Sequence, residues 1–155
     1  MIVKNKFLKI VTWNANSINS KLLEFKDFLC TNNYDIAGIC ETKIDNNYKS
    51  NLSNFNVYTS NRNSRGGGVA IAIKNNINHT EFKLTTNSDI EGIGIKITIN
   101  SIPLYICQVY IPPNAKLNSN IFSTLFCYDN MIIMGDLNCI MCEWNCPTEN
   151  LNGKR

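Results

Sequence analysis

Isoleucine and valine recur at every second position in two separate stretches, and that period does not suit an α-helix. Val69, Ile71 and Ile73 alternate with alanines, and Ile93, Ile95, Ile97 and Ile99 repeat the pattern. A side chain at every second residue lies on one face of a strand, and β-branched residues favour that pleated surface. A near-continuous apolar run, Ile102 to Val109, reads as a more fully buried strand. Shorter strand-like runs occupy Phe7 to Val11, Tyr34 to Cys40, Phe55 to Thr59 and Met131 to Met134. Against these stands one clear helical period. Ile18, Leu22, Phe25 and Leu29 fall at spacings of four, three and four, which predicts a helix over about 17–30. A second helix is expected over 118–128, with Ser119 as its cap. Strand, helix, strand, several strands, helix, strand is the order of an α/β domain with mixed sheets.

The chain has 155 residues, enough for one domain, and 44% of them are hydrophobic. The net charge of +3 gives only a weak pull towards a polyanion. No apolar run approaches the roughly 18 residues of a membrane span. The opening MIVKNKFLKIV has no long apolar block before a small-residue cleavage site, so no signal peptide is expected. Seven cysteines then read as reduced thiols of an intracellular protein.

Polar residues collect where the strands end. The first strand leads to Asn14, the second to Glu41, the Ile102–Val109 run to Tyr110, and the last to Asp136 and Asn138. In a sheet-based domain, groups at one end of neighbouring strands converge on one rim, and ligands bind at such rims. Residues two apart on a strand face the same side, which would aim Asp136 and Asn138 at one object. The inventory suits a phosphodiester and a hard cation. Mg²⁺ prefers oxygen donors, often one or two carboxylates completed by water and phosphate. Glu41 is the candidate ligand, Asp136 the group to orient water, and Asn14, Asn138 and Tyr110 the groups to hold and polarise phosphate oxygens. Each motif alone has a plainer reading, since Gly-Asp-x-Asn commonly just turns the chain after a strand. Recurrence at successive strand ends favours a site.

In order, VTWNANSI (11–18), ICETKI (39–44), RGGGVAIAIK (65–74), VYIPPN (109–114) and MGDLNC (134–139) resemble the endonuclease/exonuclease/phosphatase superfamily. Within it they resemble the apurinic-type endonuclease domain of LINE-like, jockey-type non-LTR retrotransposons. WNCPTENLNGKR (144–155) resembles the segment that follows Gly-Asp-x-Asn in those elements. The resemblance implies two mixed β-sheets packed face to face with outer helices, a four-layer α/β sandwich. It implies Mg²⁺ (or Mn²⁺) as cofactor and DNA as substrate. The reaction implied is a hydrolytic nick that primes reverse transcription, with a reverse transcriptase domain elsewhere in the polyprotein and work in the nucleus. By the resemblance, Glu41 is the metal ligand and Asn14 belongs to the metal and phosphate network. Tyr110 contacts the scissile phosphate, Asp136 positions water and Asn138 supports the phosphate. Asn16 stands where relatives carry Asp or Asn, and Lys43 helps orient Glu41.

There are departures. Met141 stands where relatives usually have a histidine three residues before Trp144. The family's further Asp and terminal Asp-His pair have no counterpart in 1–155. Residues 1–155 are therefore expected to be a partial domain, incomplete for want of C-terminal strands and with negligible activity alone. His79, the only histidine, falls in a polar stretch and reads as a surface residue. Arg62 and Arg65 flank Gly66-Gly67-Gly68, either contacting DNA phosphates with close backbone approach or as solvated charges at a strand entry. Cys139, Cys142 and Cys146 have spacings reminiscent of zinc ligands, but with a single C-x-x-C the signal is weak. Two other functions stay open: a catalytically dead DNA- or partner-binding remnant, and a phosphatase of the same superfamily acting on a phospholipid headgroup.

Overall fold

The computed structural model describes residues 7–44, 52–61, 67–84, 90–115, 123, 126 and 128–154. Eight strands are described: β1 (Ile10–Asn14), β2 (Ile36–Cys40), β3 (Phe55–Ser60), β4 (Val69–Lys74), β5 (His79–Phe82), β6 (Glu91–Ile99), β7 (Ile102–Tyr110) and β8 (Met131–Asp136). Helix α1 (Leu22–Thr31) follows β1, and a short 3-10 turn covers Cys142–Trp144. The strands form two four-stranded sheets, ordered β1-β2-β4-β3 and β5-β6-β7-β8. Both are mixed. β1 runs parallel to β2 and β7 parallel to β8, while the other pairings are antiparallel.

The two-residue period places each side chain. Ile36 and Cys40, Val69, Ile71 and Ile73, Ile93, Ile95 and Ile97, and Ile106 and Tyr110 pack together between the sheets. The intervening Ala37, Ile39, Ala70 and Ala72 face outward and meet Phe25 and Leu29 of α1. Alanines on that face let the helix lie close. Trp13 stacks on Phe25 with ring centroids 5.1 Å apart. Burying Phe25 and Leu29 stabilises the fold by roughly 1.5–3 kcal/mol each. The outer face of the second sheet is covered by Ile90, Ile111, Leu137 and Cys139, packed around Cys107 and Val109.

Three expectations need correcting here. The helix begins at Leu22, not near Ser17. Residues 15–18 instead continue alongside the chain after β2: Ser17 N–H donates to the Glu41 carbonyl (2.8 Å) and Ile18 N–H to that of Thr42 (3.1 Å). Ile18 still joins the helix-side core, so the apolar face was read correctly although the helical backbone was not. β5 was not expected, because HTEF is polar and borders the sheet, where one neighbour suffices. His79 is not a surface residue. Its Nδ1 meets the Ile77 carbonyl at 2.6 Å and its Nε2 the Tyr58 hydroxyl at 3.0 Å, so it fastens β5 of one sheet to β3 of the other. The expected helix over 118–128, with Ser119, falls almost wholly outside the described residues.

Candidate active site

β1, β2, β7 and β8 all finish at the same rim of the sandwich. Asn14 is level with Cys40, and Tyr110 with Asp136. β4 and β6, running the other way, begin there: Val69 is level with Cys40 and Glu91 with Tyr110. Among the described residues β1 and β8 are both border strands, and they contact each other across the sheets beside the rim.

The strand ends touch. Asn14 Nδ2 donates to Glu41 Oε1 (2.9 Å) and to Asp136 Oδ2 (2.8 Å), joining carboxylates carried by different sheets. Asn14 Oδ1 accepts from the Asn16 N–H (3.1 Å). Asn14 thus turns its donor to the rim, and the oxygen donors left there belong to Glu41 and Asp136. The Tyr110 hydroxyl hydrogen-bonds to Glu41. Burial, the charge of Glu41 and that hydrogen bond, and then Asp136 and Glu91, push the Tyr110 phenol up to about 12. It is therefore a donor at neutral pH. Lys43 Nζ lies 3.7 Å from Glu41 Oε2 and also donates to Asn16 Oδ1.

Asn138 reaches the site differently from the strand alternation expected. β8 stops at Asp136, and Asn138 adopts a left-handed backbone with φ 47°. Its backbone N–H donates to Asp136 Oδ1 (3.0 Å), a turn in which the aspartate side chain caps its own loop. Its side-chain amide donates to the Ile111 carbonyl (2.9 Å), tying the loop after β8 to the end of β7. Asp136 is thereby held on one oxygen by Asn138 and on the other by Asn14.

Other supports were not legible in the sequence. Glu91, nearly buried, accepts the Gly68 N–H. The Gly67 and Gly68 carbonyls in turn accept from Lys43 N–H (2.9 Å) and Thr42 N–H (3.1 Å), which fixes the turn carrying Glu41. A Cβ at Gly67 would lie 2.3 Å from Glu91 Oε1, and one at Gly68 2.3 Å from Thr42 Oγ1. Close backbone approach does explain these glycines, and what approaches is the protein itself. Asn150 was also missed: its side chain donates to the Asn138 carbonyl (2.7 Å) and accepts from Ile140 N–H (3.1 Å), so the C-terminal segment braces the Asp136 loop. The sign available was the polar run ENLNG, whose asparagines suit turns. Arg62 and Arg65 lie outside the described residues. Among the described residues no three His, Cys, Asp or Glu side chains gather as a metal cluster, so Cys139, Cys142 and Cys146 do not form one.

Two carboxylates bridged by a neutral amide, with Lys43 as the cation beside Glu41, form an oxygen donor set that suits a hard divalent cation. The sequence model of the Endonuclease/Exonuclease/phosphatase family matches residues 11–155. The chain belongs to this family. Among the family's solved structures, the endonuclease domain of TRAS1, a telomere-specific non-LTR retrotransposon, superposes with a TM-score of 0.76 at 15% identity, over 96% of this chain and 67% of that one. An AP endonuclease from Archaeoglobus fulgidus gives 0.59 at 22% identity, over 86% and 58%. These likenesses establish the endonuclease/exonuclease/phosphatase fold of two mixed sheets. By sequence, the chain is 27% identical over 151 residues to a probable RNA-directed DNA polymerase from transposon X-element of Drosophila melanogaster. It is 22% identical over 153 residues to that of transposon BS from the same species. It spans 17% of the length of each of these relatives. No helix among the described residues is long and apolar enough to cross a membrane.

Proposed function

We propose that residues 1–155 are the greater part of the endonuclease domain of a non-LTR retrotransposon polyprotein, and that the rim nicks DNA by hydrolysing a phosphodiester. One observation carries the reading: the Asn14 amide joins Glu41 and Asp136 across two sheets, with the Tyr110 hydroxyl on the same carboxylate. The transposon relatives and the TRAS1 fold match support the retroelement branch. In that reading the nick primes reverse transcription by a polymerase domain of the same polyprotein, and the work is nuclear.

Glu41 and Asp136 would hold Mg²⁺ (or Mn²⁺), which when bound supplies positive charge against a phosphate oxygen. Tyr110, kept protonated by burial and by its acidic neighbours, donates to the phosphate as negative charge grows there. Asp136, oriented by Asn14 and Asn138, directs the attacking water. Lys43 and Asn16, both exposed beside the rim, contact the DNA backbone. His79 takes no part. It is level with Ile97, six residues along β6 from Glu91, which is roughly 20 Å at strand rise.

The test is a chimera in which residues 11–155 replace the equivalent two thirds of the TRAS1 endonuclease domain. It should nick supercoiled plasmid in the presence of Mg²⁺, and Asp136→Ala in the chimera should remove the activity. A folded chimera that leaves plasmid intact, or one whose nicking survives Asp136→Ala, overturns the reading.

A further inference from the structure

Just beneath the rim, one fully buried polar side chain links strands of both sheets. Gln108, two residues before Tyr110 on β7, is 0% exposed. Its Nε2 donates to Cys40 Sγ at 2.9 Å, and its Oε1 accepts from the Thr12 hydroxyl at 3.2 Å. The Cys40 thiol donates onward to the Val109 carbonyl at 3.4 Å. Space for the amide exists because residue 38 is glycine: a Cβ there would lie 1.8 Å from Gln108 Oε1. An amide placed in a layer of isoleucines is costly unless both its ends are paired, and here both are.

The partners are not scattered. Thr12 stands two residues before Asn14 on β1, Cys40 directly before Glu41 on β2, and Gln108 itself two before Tyr110. One side chain therefore joins three of the four strands that deliver rim residues, one layer below them. β1 has the most need of it. Among the described residues it borders its sheet with β2 as its single strand neighbour, and Thr12 is exposed. Asn14 reaches Asp136 at the rim, and the Thr12–Gln108 bond gives β1 a second, deeper link across the sandwich that resists tilting of its Asn14 end relative to β7 and β8. A site of this kind tolerates displacements of only about 0.5 Å.

We propose that Gln108 is a positioning residue: through Thr12 and Cys40 it holds Asn14 and Glu41 of one sheet in register with Tyr110 and Asp136 of the other. The inference rests on the reading of the rim as a cation and phosphate site, and its test separates the two. Thr12→Val with Gln108→Met removes both polar partners and conserves volume, a change that leaves folding stability nearly untouched. Two quantities are read on the chain of 155 residues. One is the side-chain amide resonance of Asn14, assigned by its loss in Asn14→Asp. The other is Mn²⁺ affinity by electron paramagnetic resonance.

In the folded double variant the Asn14 amide resonance should shift or broaden, and Mn²⁺ affinity should fall roughly tenfold, the low end for groups that orient metal ligands. Thr12→Ser, which keeps the hydroxyl, should retain the native resonance. An unmoved Asn14 resonance in a folded double variant overturns the proposal, whatever Mn²⁺ does. A native chain that takes up no Mn²⁺ overturns the cation reading of the rim, and the resonance still decides the positioning role. Should the double variant not fold, Thr12→Val alone, which cuts only the β1 link, decides on the same resonance.

Discussion

Asn14 donates one amide group to two carboxylates, and that contact explains why an asparagine should close a strand. Glutamate at 41 and aspartate at 136 repel, and the amide between them lowers that cost, while the other oxygen of Asp136 accepts from the Asn138 N–H and that of Glu41 lies 3.7 Å from Lys43 Nζ. Glu41→Gln keeps the volume but removes the charge and offers a second donor to Asn14. Mg²⁺ binding, followed by isothermal titration, should disappear in this variant, and equal affinity in both proteins would show that Glu41 is not the ligand. Tyr110 gives a prediction about pH. Its folded value of about 12 lies above the ordinary 10, so the folded chain keeps a proton that the unfolded chain releases. That contribution to stability is intact below pH 10 and is lost as the pH climbs from about 10 to about 12. Tyr110→Phe has no phenol to ionise. Its melting temperature should therefore decline less steeply than that of the native chain between pH 9.5 and 11.5. Cys40 and Cys107, pushed by burial up to about 11 and about 12, add the same sign of alkaline loss in both proteins and cancel in the comparison.

At the scale of elements, the sheets are kept apart by what fills the space between them, and β2 shows it at Gly38. Gly38→Ala would drive a methyl group into Gln108, an overpacking that costs about 1–3 kcal/mol. The obstructing atoms all belong to side chains, the nearest two to Gln108 and the next, at 2.7 Å, to the flexible end of Met134. Gly38→Ala combined with Gln108→Ala should therefore recover much of the loss, and urea unfolding of the two single variants and the double one measures the coupling. If the two losses simply add, the contact at 38 is not what sets the spacing. β1, β2, β4, β6, β7 and β8 were legible in the sequence because isoleucine and valine mark the faces of strands buried in the sandwich. β5 was not, because three of its four residues, HTEF, are polar and leave no apolar alternation, unlike the border strands β1 and β8. Asn14, Glu41, Tyr110 and Asp136 were legible because each follows an apolar run directly. Asn138 was assigned a strand-like direction, and the left-handed turn after Asp136 sends its amide to Ile111 instead. Glu91 and Asn150 passed unnoticed for a shared reason. Each supports the site through backbone groups of another segment, and pairings over such sequence distances leave no local pattern.

Among the described residues no further strand covers one flank of the sandwich, and the site lies beside that flank. Among the described residues β1 and β8, which carry Asn14 and Asp136, each have no strand neighbour on the same side of the sandwich. Next to β1, Val11, Trp13, Phe25 and Phe28 line a mostly apolar groove of about 420 Å³. Unpaired strand borders beside apolar surface favour association with other chains. Hydrolysis of a phosphodiester also needs a proton carried between water and leaving group, and the one histidine is held between Tyr58 and Ile77 far from the rim. Doing without a histidine placed as acid–base group at the rim is expected to cost about 10²–10⁴ in rate. The chain of 155 residues by itself is therefore expected to nick supercoiled plasmid negligibly and to self-associate. Sedimentation velocity should show species larger than the monomer that grow with concentration. Val11→Lys, which sets a charge in the groove at the β1 border, should shift them back towards monomer. Robust Mg²⁺-dependent nicking by the chain alone, lost in Asp136→Ala, would mean that Asn14, Glu41, Tyr110 and Asp136 suffice for catalysis and that proton transfer needs no histidine. A monomer at all concentrations would mean that the open flank is closed by the chain's own residues.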